Sequence, residues 1–189
     1  MLQALKMNEE VAPDRVRIEA QLPGDDPDAR ESEQGRILSR NRVTISYRIK
    51  VPAGLRLTLS TGNGGVKVED VTGQIDASTT NGGIDAIDVS GSVKATAVNG
   101  GIRVEMRSMT GDVEVAVTNG GIRVELPVGA KATLDATCVN GGISVDDSLG
   151  LQTSETSRRR VTGTLNGGGP KLLASTVNGG IRIDAVGRD

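Results

Sequence analysis

The triplet Asn-Gly-Gly stands at Asn63, Asn81, Asn99, Asn119, Asn140, Asn166 and Asn178, with spacings of 18, 18, 20, 21, 26 and 12 residues. The last two spacings sum to 38, two periods of 19, so Asn166 is out of register and a degenerate copy is expected between Asn140 and Asn178. Aligned on the other six asparagines, four columns are apolar throughout. Six residues before each Asn stand Leu57, Ile75, Val93, Val113, Leu134 and Leu172, and four before stand Leu59, Ala77, Ala95, Val115, Ala136 and Ala174. Three after stand Val66, Ile84, Ile102, Ile122, Ile143 and Ile181, and five after stand Val68, Ala86, Val104, Val124, Val145 and Ile183. Columns two residues apart have the period of a β-strand.

Residue types that recur in one column, copy after copy, are the mark of a stack and not of hairpins, in which neighbouring strands run oppositely. The spacing predicts an all-β, single-stranded parallel β-helix (β-solenoid), right-handed, with about seven coils of 18–21 residues stacked in chain order. Asn-Gly between apolar runs is also the strongest short-range hairpin signal, so a hairpin-built sandwich or barrel is the competing fold. In a coil each Asn-Gly-Gly is a corner. The bend calls for φ > 0, cheap for Gly and tolerable for Asn, and stacked Asn side chains can hydrogen-bond from coil to coil. Asn63, Asn81, Asn99, Asn119, Asn140 and Asn178 are therefore expected to form a structural corner ladder. A phosphate cradle is excluded because no P-loop lysine or following helix is present. Calcium-binding glycine repeats need an Asp in fixed register, and only Asp85 offers one.

Composition agrees with a thin interior. Tyr47 is the one aromatic residue of 189, so the core must be filled by Val, Ile, Leu and Ala. His is absent, which removes the usual general base near neutral pH and the commonest metal ligand. No catalytic, metal-binding or cofactor-binding residue is expected, and a polysaccharide-active β-helix enzyme is disfavoured because the acidic residues run as ladders. The net charge of −2 carries no nucleic-acid footprint, and the triplet Arg158-Arg159-Arg160 reads as a solvated loop. Cys138, alone and in an inward column, reads as a small buried hydrophobe. No run of 18 apolar residues marks a membrane span, and the N-terminus lacks a signal-peptide pattern, which leaves a cytoplasmic location open.

Two outward surfaces carry information. Lys67, Asp85, Arg103, Arg123, Ser144 and Arg182 form a mainly basic row beside the mainly acidic row Glu69, Ile87, Glu105, Glu125, Asp146 and Asp184. Adjacent rows of opposite sign offset each other's self-repulsion. Before the corner, Ser78, Thr80, Thr96, Val98, Thr118, Thr137 and Val139 make a flat strip of hydroxyls and small apolar groups, the expected contact face. Residues 1–41 read as a strand and a polar mobile segment that caps the solenoid, and residues 42–189 as the repeat domain. Within the degenerate copy, "DSLGLQTSETSRRR" is expected to bulge out as a loop. Little chain follows Ile183, so the terminal coil is expected to leave an open edge that can pair with another copy.

The run "RIKVPAGLRLTLSTGNGGVKV", the repeated "TxNGGI" pattern and the closing "GTLNGGGPKLLASTVNGGIRI" resemble the bacterial adhesin-type β-strand-repeat family, a domain of largely unknown function. The match runs from about Arg42 to Ile183. The resemblance implies a β-helical domain, exported or attached to the cell envelope, with no agreed catalytic or ligand residues. It implies a non-enzymatic binding or adhesion scaffold whose partner is a protein or cell-surface polymer. A self-assembling, bactofilin-like structural β-helix is the alternative.

Overall fold

A computed structural model describes residues 6–12, 15–21 and 51–186. The chain divides into two compact units, Met1–Val51 and Pro52–Asp189. In the first, β1 (Lys6–Ala12) and β2 (Arg15–Gln21) pair antiparallel, Lys6 opposite Gln21. β1 and β2 fall within residues 1–41, where one strand was expected. The expected polar segment and residues 42–50 of the repeat domain lie outside the described residues, and with them the expected cap.

The second unit is all-β and solenoid-like. Its strands are β3 (Leu55–Asn63), β4 (Val66–Glu69), β5 (Thr72–Asn81), β6 (Ile84–Asn99), β7 (Ile102–Ser108), β8 (Val113–Asn119) and β9 (Ile122–Pro127). They continue with β10 (Ala132–Asn140), β11 (Ile143–Val145), β12 (Leu151–Thr156), β13 (Arg160–Leu165), β14 (Lys171–Asn178) and β15 (Ile181–Val186). Each coil is one strand ending in the corner Asn and one strand beginning three residues later. The aligned columns are the pairing register: Ile84 lies against Ile102, Ile102 against Ile122, Ile75 against Val93 and Val93 against Val113, all parallel. Inward positions are sealed: Ile84, Val104, Val113, Val124, Leu172 and Ile183 are fully buried. Burying each such side chain contributes about 1.5–3 kcal/mol.

Two expectations are corrected, and a third point that the sequence left open is decided. First, the coils do not stack in chain order. The strand order before the corner is β3, β5, β6, β8, β14, β10, β13, β12, and after it β4, β6, β7, β9, β15, β11. The last coil in sequence, β14–β15, is inserted between β8–β9 and β10–β11. Leu172 pairs with Val113 on one side and Leu134 on the other. The terminal coil is therefore interior and offers no open edge. Repetition explains why: identical columns specify register but not rung order, since any coil fits any other.

Second, the sheet is mixed and has six Asn-Gly-Gly coils, not about seven. The degenerate copy is an antiparallel hairpin, β12 with β13, and β13 runs antiparallel to β10. The stretch expected to bulge is a 3-10 turn, Asp147–Leu149, followed by β12. Leu149 and Leu165 are fully buried, while Gln152 to Arg160 are exposed. The segment thus places two leucines in the core and turns a polar strand outward. A register shift between Thr153 and Glu155 further spoils β12 as a pairing edge. The return to coil β14–β15 runs through Asn166 to Pro170. Asn166 adopts φ 48°, and a Cβ on Gly169 would stand 2.8 Å from the Lys131 carbonyl oxygen, so position 169 is held to glycine.

Third, the corner asparagines do not turn left-handed. Among the described residues, positive φ outside glycine occurs at Asp70, Asp88 and Asn166. At five of the six corners, Gly141 being the exception, the first glycine carries the bend, as at Gly100 with φ 149°. A Cβ there would meet the Gly82 carbonyl oxygen at 1.9 Å, so successive backbones touch where a side chain would stand.

Candidate functional site

The six corner asparagines form one continuous row. Asn81 Nδ2 donates to Asn63 Oδ1 at 2.9 Å, Asn99 to Asn81 at 3.0 Å, and Asn119 to Asn99 at 2.9 Å. Asn178 then donates to Asn119 at 2.7 Å and Asn140 to Asn178 at 2.8 Å. The row follows spatial rung order, so Asn178 precedes Asn140. Every Nδ2 points the same way, which makes the ladder polar. Backbone bonds run in the opposite sense: the glycine N–H after each Asn donates to the Asn carbonyl of the next rung, as Gly100 does to Asn119 at 3.0 Å. Asn166 stands apart, its Nδ2 donating to the carbonyls of Ala130 and Leu149 at 2.9 and 3.2 Å.

The strip before the corner lies on β5, β6, β8, β14 and β10. Thr80, Thr96, Thr118 and Thr137 are exposed and Ser78 is half-buried, its Oγ 3.1 Å from that of Ser60. Val98 is 39% exposed and Val139 51%. The inserted coil adds Val177 (42%) beside Val139, and Leu173 (38%) farther along β14. Leu173 was legible only as the one apolar residue in a column otherwise filled by Thr58, Asp76, Lys94, Glu114 and Asp135.

The charged rows of the opposite sheet interlock across rungs. Glu125, 5% exposed, accepts from Arg103 Nε and Nη2 at 3.0 and 2.7 Å and lies 2.9 Å from Arg123 Nε. Arg123 Nη2 also lies 2.9 Å from Asp184 Oδ2, an ion pair too bent to count as a hydrogen bond, and that oxygen has no other partner among the described residues. The hydrogen bond and charge of Glu125 raise the Arg103 guanidinium above its ordinary value. Glu125, and less deeply Glu105 and Asp184, thus sit down in the sheet surface beside the arginines, while Glu69 stays exposed. Arg103, Arg123, Arg182 and Asp85 line a shallow open depression there. Arg107 bridges Asp88 and Asp70, both with positive φ, and their hydrogen bonds raise its pKa. Cys138 is buried, its Sγ 3.7 Å from the Arg158 carbonyl oxygen.

At the far end Asp146 opens the 3-10 turn. Its Oδ1 accepts from Ser148 Oγ at 2.7 Å and Ser148 N at 2.9 Å, and these bonds hold its carboxyl below the usual range. Among the described residues no group of three or more His, Cys, Asp or Glu is placed to hold a metal ion, and no helix is long and apolar enough to cross a membrane.

No curated protein and no solved structure matches the chain. A family model described as Toastrack DUF4097, a domain of unknown function with a β-solenoid-like fold, matches residues 39–184. Stacked Asn-Gly-Gly coils within that span, together with this match, place the chain in the Toastrack DUF4097 family.

Proposed function

We propose that this protein is a non-enzymatic binding scaffold of the cell envelope, which holds another protein or a surface polymer against the strand face before the Asn corner. The observation that carries the reading is the outward column Thr80, Val98, Thr118, Val177 and Val139, a flat strip of hydroxyls and part-exposed valines on a hydrogen-bonded sheet. A surface of this kind contributes apolar contact without first having to be ordered. The charged sheet is a poorer contact surface, because Glu125, Arg103 and Arg123 are already engaged with each other. Adhesion is the specific form of this role that the family resemblance suggests. The solenoid is read as winding right-handed, as parallel β-crossover connections do.

The test is retention of purified protein on envelope fractions, compared with a Val139→Glu/Val177→Glu variant of unchanged thermal stability. Retention that the variant loses is the expected result. Equal retention of both, or none of either, sinks the assignment. Turnover on a polysaccharide panel would sink its non-enzymatic part.

Self-assembly is the second reading. One observation favours it: β11 pairs with β15 on one side only. Three residues of free edge are short, and the β12–β13 hairpin covers the neighbouring β10. A single monomeric species in sedimentation at high concentration removes this reading.

A further inference from the structure

We infer that Asn140–Gly141 is a built-in site of spontaneous deamidation, and that the other rungs of the ladder are protected by the rung stacked on them. Asn-Gly is the dipeptide most prone to this chemistry, because the unsubstituted glycine lets its backbone nitrogen reach the preceding Asn side chain. The Gly nitrogen attacks Asn Cγ, a new N–Cγ bond forms, and the Cγ–Nδ2 bond breaks. Nδ2 leaves as ammonia, carrying away the proton the Gly nitrogen has lost. Water then opens the succinimide at either carbonyl, leaving aspartate or isoaspartate. The nitrogen must give up its proton and move to Cγ, and a hydrogen bond to a carbonyl opposes both.

The ladder decides which nitrogens are held. Gly64, Gly82, Gly100, Gly120 and Gly179 each donate their N–H to the Asn carbonyl of the next rung, at 2.8, 2.9, 3.0, 2.8 and 2.9 Å. Coil β10–β11 has no following rung on this side of the corner. Among the described residues Gly141 N–H has no acceptor and Asn140 Oδ1 no donor, while both residues are exposed. The Asn140 side chain keeps a single tie, from its Nδ2 to Asn178 Oδ1 at 2.8 Å. Asn166 differs, its carboxamide clamped by two carbonyls. The rung order set by the inserted coil thus leaves exposed the fifth ladder asparagine of the sequence, not the sixth. Conversion removes the donor to Asn178 and sets a carboxylate against its oxygen, so the β11 end loosens.

The full chain is incubated in mildly alkaline buffer made with heavy-oxygen water, and each Asn-Gly peptide is followed by mass spectrometry. A parallel sample is unfolded in urea. In urea all the ladder sites should convert at similar rates. In the folded chain Asn140 should convert about tenfold or more faster than Asn63, Asn81, Asn99, Asn119, Asn166 and Asn178, because the protected sites must first open locally. Asn140→Gln should abolish the signal without moving it to another rung. Any other ladder site converting as fast as Asn140, or Asn140 staying intact when folded while converting in urea, overturns the inference.

Discussion

Replacing Asn99 by alanine tests whether the ladder stabilises the stack or merely decorates it. Asn99 sits mid-row: it donates to Asn81 at 3.0 Å and accepts from Asn119 at 2.9 Å. Its backbone is not left-handed, so alanine fits the chain and only the side chain is lost. Two hydrogen bonds at about 0.5–1.5 kcal/mol each amount to about 1–3 kcal/mol. The severed partners are exposed and can rehydrate, which favours the lower half of that range. Asn63, at the row's end, makes one ladder bond, so Asn63→Ala should cost about half as much. Asn99→Asp should cost more than Asn99→Ala near neutral pH, because a carboxylate cannot donate and faces the Asn81 oxygen. Urea unfolding followed by circular dichroism measures all three. An unchanged slope shows that the stack still unfolds as one unit. Each kcal/mol should appear as about 2–4 °C in thermal midpoint for a chain of this size. Equal costs at Asn99 and Asn63, or an aspartate milder than alanine, would refute the idea that stabilisation comes from side-chain bonds between rungs.

Three further outcomes follow from the geometry. In a Cys138→Ala background, Ala116→Cys/Ser175→Cys should close a disulfide on mild oxidation, because these residues are in-register neighbours about 4.8 Å apart; Ala116→Cys/Thr137→Cys, two rungs apart, should not, and non-reducing mass analysis separates the two. Glu125→Ala leaves Arg103 and Arg123 facing each other without their shared anion and should cost about 1–2 kcal/mol in urea unfolding, against less than about 0.5 for Glu69→Ala, whose partner Lys67 is solvent-exposed. The Asp146 carboxyl is depressed in the folded chain, so its contribution is fully present above the ordinary carboxylate range and is lost as pH falls through the folded value; Asp146→Ala should flatten that acid limb of thermal stability, with wild type and variant converging at low pH.

How far the sequence could be read depended on whether a feature was repeated. Ile102 and Ile122 share a column in the alignment and a register in the sheet, because strand period and coil length together leave each inward residue one neighbour above and one below. The same alignment separated Asn166 from the ladder. The exposed strip before the corner was legible residue by residue, but the pairing of Val177 with Val139 was not, since it depends on which coil lies next to which. Glu125 shows the same limit. Its column reads as outward, yet two arginines from adjacent rungs cover it. The sequence left open which residue of the corner bends: in Asn-Gly either can supply φ > 0, and here the glycine does so, freeing Asn to reach its neighbour.

Taken alone, the chain's order of residues determined an all-β stack, its inward columns, its corner row and the thinness of its interior, for each follows from periods of two and of about nineteen residues. Only the tertiary structure decided that the final coil slides between its two predecessors and that an antiparallel hairpin closes one end. Near-identical rungs are close to interchangeable in energy, so periodicity cannot rank them. The choice falls to what does not repeat: Leu149 and Leu165 seeking cover, the polar face of β12 seeking water, and glycines at 167–169 that let the backbone cross back.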